Sequence, residues 1–163
     1  MKPLMDMRWR RLSGATIEGD LLANIERTIV RERAAGNRLK VCIGTDSQKR
    51  GAIVEFATVI VFVREGKGGF MFIANYSRPA TMSIKERMIQ EVGRSVEIAY
   101  AMCDLLDRYD VELEVHADIN TDPSFKSNKA LSDAMGYILG MGFVFKAKPD
   151  AFASSYCADK VVR

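Results

Sequence analysis

The residues with the clearest chemistry in this chain are carboxylates that its strands and helices would deliver to one place. Asp46 closes the apolar run Val41-Cys42-Ile43-Gly44-Thr45, and Asp118 stands just past the alternating run Val111-Glu112-Leu113-Glu114-Val115-His116. Both runs read as strands, and α/β sheets gather functional groups at strand ends because the loops diverge there. On neighbouring strands, ~5 Å apart, two bare carboxylates repel unless they share a proton or a cation. The chain has one histidine, His116, and three scattered cysteines with no CxxC pair. The ligand set is therefore oxygen, which suits Mg²⁺ or Mn²⁺ and argues against zinc.

Further acids complete the set. Glu91 falls on the same helical stripe as Met88, Val92, Ser95 and Ala99, so it points at the sheet, where an inward carboxylate needs a partner. Glu86 has a sufficient structural task in a capping box with Ser83. Near the C-terminus stand Asp150 and Asp159. A helix beginning right after Pro149 puts Asp150 at the active edge and Asp159 ~13 Å farther along the axis. A chain that stays irregular until about Ser154 brings Asp159 back within reach, and spacing alone leaves both open.

The elements that must position these groups are set by periodicity. Thr16 to Ala35 reads as an amphipathic helix stopped by Gly36-Asn37. A first strand, about Leu39 to Thr45, is followed by the polar turn Gln48-Lys49-Arg50-Gly51, the β-branched run Ile53 to Val63, a glycine-rich turn, and a third strand, Phe70 to Ala74. The longest helical pattern runs from Ser83 to Tyr109, before the strand ending at His116. Ser127 caps a helix to about Leu139, Phe143-Val144-Phe145 makes a fifth strand, and Lys148-Pro149-Asp150 opens a terminal helix. The third strand of a meander runs parallel to the first, and a right-handed helical crossover brings the fourth beside the first. The expected fold is α/β, a five-stranded mixed sheet in the order 3-2-1-4-5 flanked by helices.

With 163 residues, 48% hydrophobic and 28% charged, the chain suits one compact domain with a full core. A net charge of +3 is compatible with an anionic partner without demanding one. Lys2, Arg8, Arg10 and Arg11 precede no apolar signal region, and no run approaches the ~20 apolar residues needed to span a bilayer. The expectation is a soluble, cytoplasmic protein with reduced thiols and no membrane partner. Ser127, Ser154 and Ser155 have no His and Asp arrangement beside them that would make a nucleophile.

Taken together, the pattern resembles the ribonuclease H-like superfamily: Asp on the first strand, Glu on the first crossover helix, Asp after the fourth strand and an acid in a final helix. More closely it resembles the bacterial YkuK-type family, through Ile43-Gly44-Thr45-Asp46-Ser47-Gln48, the Glu91-to-Ser95 helix and Gly140 to Asp159. The resemblance implies a ribonuclease H-like domain over 39–163 after an N-terminal helical extension, 1–38. It also implies a nuclease that hydrolyses RNA or DNA at a two-metal carboxylate site. Asp46, Glu91 and Asp118 carry over directly, and Ala158-Asp159 resembles the small-residue-Asp pattern of related sites, which ranks Asp159 ahead of Asp150. Lys126, Lys129, Lys146, Lys148 and Lys160 become phosphate contacts on this reading, or surface charges on the plainer one. The competing class is a non-catalytic nucleic-acid or protein-binding module on the same fold. An actin-like ATPase is disfavoured, because Gly66-Lys67-Gly68-Gly69 lies at the far edge and no GxxxxGK[ST] occurs.

Overall fold

The computed structural model describes residues 2–119, 128–140 and 142–163. Six strands form one mixed sheet: β1 (Arg10–Arg11), β2 (Leu39–Arg50), β3 (Ile53–Arg64), β4 (Gly69–Pro79), β5 (Glu112–His116) and β6 (Val144–Lys146). Their spatial order is β1-β4-β3-β2-β5-β6. The β2-β3-β4 meander is antiparallel, while β5 runs parallel to β2 and β6 parallel to β5.

The sheet corrects the expected one in two respects. The five expected strands keep their order as β4-β3-β2-β5-β6, but a sixth, β1, is added on the β4 edge. Two arginines carry no readable alternation; neighbouring contacts hold them in place. Trp9 is buried and donates its indole N–H to the Leu4 carbonyl at 2.9 Å. The Arg10 guanidinium meets Asn75 at 3.0 Å, and Arg11 lies over the Phe72 ring. The second correction is length: β2 does not stop at Thr45 but stays paired with β3 as far as Arg50, opposite Ile53. Gln48, Lys49 and Arg50 are exposed, so their polarity costs a solvent-washed hairpin end nothing.

Helices cover both faces. On one, α1 (Leu21–Ala34) and α2 (Ile84–Arg108) pack over a core that includes Val41, Ile43, Ile60, Phe62 and Phe72. Asp20 caps α1 by accepting from the Ala23 N–H, and Ser83 with Glu86 forms the capping box of α2. Arg64 of β3 grips Glu32 of α1 through two nitrogens at 2.8 and 2.9 Å, and Asn37 adds a third donor. Those Arg64 bonds hold the buried Glu32 carboxyl down at about 2, against the opposing effect of burial.

On the opposite face Cys42, Val59, Val61 and Ile73 meet Ala153 and Ala158 of the C-terminal segment. That segment is a π-helical stretch, Ala153–Ala158, running into a last α-turn, α4 (Asp159–Val162); α3 (Asn128–Gly140) precedes β6. Among the described residues, no helix is long and apolar enough to cross a membrane.

Candidate functional site

Side-chain parity along β2 puts Cys42, Gly44 and Asp46 on the face covered by the C-terminal segment, and Thr45 and Ser47 on the α2 face. Gly44 is where the segment touches down. A Cβ built there would lie 2.4 Å from the carbonyl carbon of Ala153 and from the nitrogen of Ser154. Farther along, the Arg50 guanidinium donates to the Val162 carbonyl at 2.8 Å. The segment therefore runs along β2 from Gly44 toward Arg50, and on its way it carries the Asp159 carboxyl into hydrogen-bond reach of Asp46. Asp150 is left in the exposed turn before it, and among the described residues its side chain has no hydrogen bond or ion pair.

The reason lies in the length of β2. Asp46 sits within a strand, not at its exit, so a helix laid along that strand passes it several residues after starting.

Asp118 arrives from β5. The parallel register pairs Ile43 with Val115, and the same offset carried onward brings Asp118 level with Asp46, where the ladder has ended. The carboxylate takes a hydrogen bond from Ser155 Oγ at 3.0 Å and an ion pair from Lys148 Nζ at 2.9 Å, both on Oδ1. Glu91 comes from α2 and lines one closed recess with Asp118, Thr45 and Met88. It accepts from Ser47 Oγ, while Arg87 donates to the Ser47 hydroxyl and carbonyl at 3.0–3.1 Å. Beneath them, Ser95, Thr45, Thr58 and Tyr76 form a continuous hydroxyl chain with links of 2.8–3.1 Å.

This crowding sets the electrostatics. Burial pushes the Asp46 carboxyl up to about 7, with Asp159 and Asp118 adding to the rise against a backbone hydrogen bond at Ser47. Burial likewise pushes Glu91 up to about 8, reinforced by Asp46 and Asp118 and opposed by Ser47 and Arg87. Four acids from four separate elements thus act on one another. Two cations partly neutralise them: Lys148 on Asp118, and Arg163, whose Nε lies 2.8 Å from Asp159.

Sequence reasoning missed Ser155, Ser47, Arg87 and Arg163 in this neighbourhood. Arg87 and Arg163 did carry a signal, since each stands four residues from one of the acids, the spacing that stacks side chains on one helix face. The serines carried none. Of the lysines, Lys148 is paired with Asp118 and Lys160 is exposed on α4. Lys146 ends β6, Lys129 is the second residue of α3, and Lys126 and Ser127 lie outside the described residues.

A different trio, Cys42, Glu114 and His116, is the only one among the described residues whose three potential ligand atoms lie within 4.8 Å of one another. Its hydrogen bonds speak against a metal. His116 Nδ1 accepts from the Ala153 N–H at 3.1 Å and Nε2 contacts Glu114 at 2.9 Å, so neither ring nitrogen is left to ligate. Burial, with Glu114 beside it, pushes the Cys42 thiol up to about 12, where it is a poor ligand and a poor nucleophile.

No curated protein matches the chain. The profile of the family described as ribonuclease H-like matches residues 20–163, a stretch that contains all four interacting acids. That match spans most of the chain, and with the mixed sheet it supports one conclusion: the chain belongs to the ribonuclease H-like family.

Proposed function

We propose that this protein is a metal-dependent nuclease that hydrolyses phosphodiester bonds of RNA or DNA, with Asp46, Glu91, Asp118 and Asp159 holding Mg²⁺ or Mn²⁺. The observation that carries the reading is the Asp46–Asp159 contact with Asp118 and Glu91 close by; burial first, and the neighbouring acids second, push Asp46 up to about 7 and Glu91 up to about 8. Carboxylates gathered this way are stabilised by positive charge, and the all-oxygen donor set suits a hard divalent cation. Lys148 and Arg163 already lie where such charge is needed. Among the described residues no three of the four acids bring ligand atoms within 4.8 Å of one another, so a bound ion would draw them closer, with water and substrate phosphate completing its shell.

A bound divalent ion would supply a water of lowered pKa and charge to offset that developing on the phosphate. The chain's own residues do the rest. Arg87 and Ser47 orient Glu91, Ser155 and Lys148 fix Asp118, and the polar hairpin end beyond Asp46 exposes Lys49 to an anionic backbone.

The internal cations also favour a second reading, a nucleic-acid-binding module in which Lys148 and Arg163 replace the metal. One experiment separates the two: purified wild type and Asp46→Asn on single-stranded, duplex and hybrid substrates, with Mg²⁺, Mn²⁺ or EDTA. The nuclease reading expects metal-dependent cleavage by wild type and a loss of at least about 100-fold in Asp46→Asn, with nucleic-acid binding retained. Binding without cleavage under every condition selects the module.

A further inference from the structure

We infer that His116 is a positioning residue: its imidazole anchors the start of the C-terminal helix to the sheet and so sets Asp159 against Asp46 and Ser155 against Asp118. This deepens the metal-site reading and rests on it for what Asp159 does, though not for the anchor itself.

The first N–H groups of a helix have no acceptor within it and are usually capped by the side chain just before. Here that residue is Phe152, which offers no cap. The acceptor comes instead from another element: Nδ1 of His116, at the end of β5, takes the Ala153 N–H at 3.1 Å. The Phe152 ring packs edge-on to the imidazole at 4.6 Å, and His116 is 1% exposed, so no water competes for the bond.

An imidazole accepts at Nδ1 only if that nitrogen carries no proton. In the neutral ring the proton is then on Nε2, which faces Glu114 Oε1 at 2.9 Å; the second Glu114 oxygen faces Lys40 Nζ at 3.4 Å. Lys40, Glu114, His116 and Ala153 make one directed chain from the surface to the helix start, in which the carboxylate selects the tautomer the helix needs.

The residues after Ala153 give the anchor its reach. The π-helical stretch pressed on Gly44 is next, then Ser155 on Asp118, then Asp159 on Asp46. A helix free to slide or lift at its start would move both contacts.

The test compares wild type, His116→Phe and His116→Asn by hydrogen exchange of the amides of residues 153–159 and by Mn²⁺ titration calorimetry. Phenylalanine keeps a ring but removes the acceptor, whereas asparagine can place its amide oxygen near the Nδ1 position. The expected result is exchange at least about 10-fold faster and Mn²⁺ affinity about 10- to 100-fold weaker in His116→Phe, with both largely restored in His116→Asn. Wild-type protection of these amides in His116→Phe would overturn the anchor, as would equal loss in both variants, which marks a packing role. If His116→Phe does not fold, the ring ¹⁵N shifts of wild type decide: a proton on Nε2 supports the inference and a proton on Nδ1 overturns it. Failure of wild type to bind Mn²⁺ sinks the metal reading and Asp159's part in it, while the exchange data still judge the anchor.

Discussion

Asp46 is the centre of the proposed site, and its replacement should separate stability from activity. In the metal-free protein the half-buried Asp46 carboxyl lies against Asp159 and is repelled by Asp118. Asparagine keeps the shape and removes that repulsion, so Asp46→Asn should melt no lower than wild type in EDTA at pH 8 and should gain less from added Mn²⁺. A melting point lowered by several degrees in EDTA would mean that the charged carboxylate is structurally required. Asp46 and Asp118 could be brought together from the sequence because the crossover topology sets their strands side by side, and Glu91 because helical spacing turns it toward the sheet. Asp159 was not legible from spacing, since its place depends on where a helix starts and how it lies on the sheet, both tertiary properties. Ser155 has no local signal beyond the lack of a triad around it, and its role as a donor to Asp118 depends on that same placement.

Among the elements, the contact between β2 and the C-terminal helix decides most. Gly44 lets backbone meet backbone, and any Cβ would sit 2.4 Å from Ala153 and Ser154 atoms that cannot rotate away. Gly44→Ala should therefore cost about 1–3 kcal/mol, the usual range for overpacking, and should displace the helix that carries Asp159. Chemical denaturation and Mn²⁺ titration check this, and an alanine variant with unchanged stability and affinity would contradict the packing. The meander, the long helix and its capping box were readable because turn glycines, β-branched runs and the Ser83–Glu86 pair act locally. The full length of β2 was not, because Gln48-Lys49-Arg50 reads as a turn while its pairing with β3 keeps it extended. Nor was β1, whose two residues are held by Trp9 and Asn75, neither of them its sequence signal. The π-helical stretch spans a run of small and polar residues with no periodicity of its own.

For the molecule as a whole, the displaced carboxyls set the pH dependence of folding. Asp46 and Glu91 have folded-state values raised from 3.8 and 4.5 to about 7 and about 8. Raised acids favour the fold while protonated, so their contribution is present at low pH and is lost as pH rises through those values. Glu32 has the opposite sign: lowered from 4.5 to about 2, it stabilises above its unfolded value and that contribution fades as pH falls toward 2. The metal-free protein should be most stable near about pH 4 and weaken from there up to about pH 8, and millimolar Mn²⁺ should abolish that decline. Melting curves from pH 3 to pH 9 with and without Mn²⁺ test it, and a rise in stability from pH 5 to pH 9 in EDTA would refute it.

The N-terminal segment offers a direct optical readout. Trp9 is the sole tryptophan of the chain, 2% exposed, with its indole N–H on the Leu4 carbonyl. Excitation at the red edge of protein absorbance therefore interrogates one spot, where the first residues fold over the α2 side of the sheet and Arg94 reaches the Lys2 carbonyl. Its emission should be blue-shifted in the native protein and shift to the red if that segment peels away, even while far-ultraviolet circular dichroism still reports an intact sheet. Unfolding followed by both signals would thus distinguish release of the N-terminal segment from collapse of the domain without introducing any label.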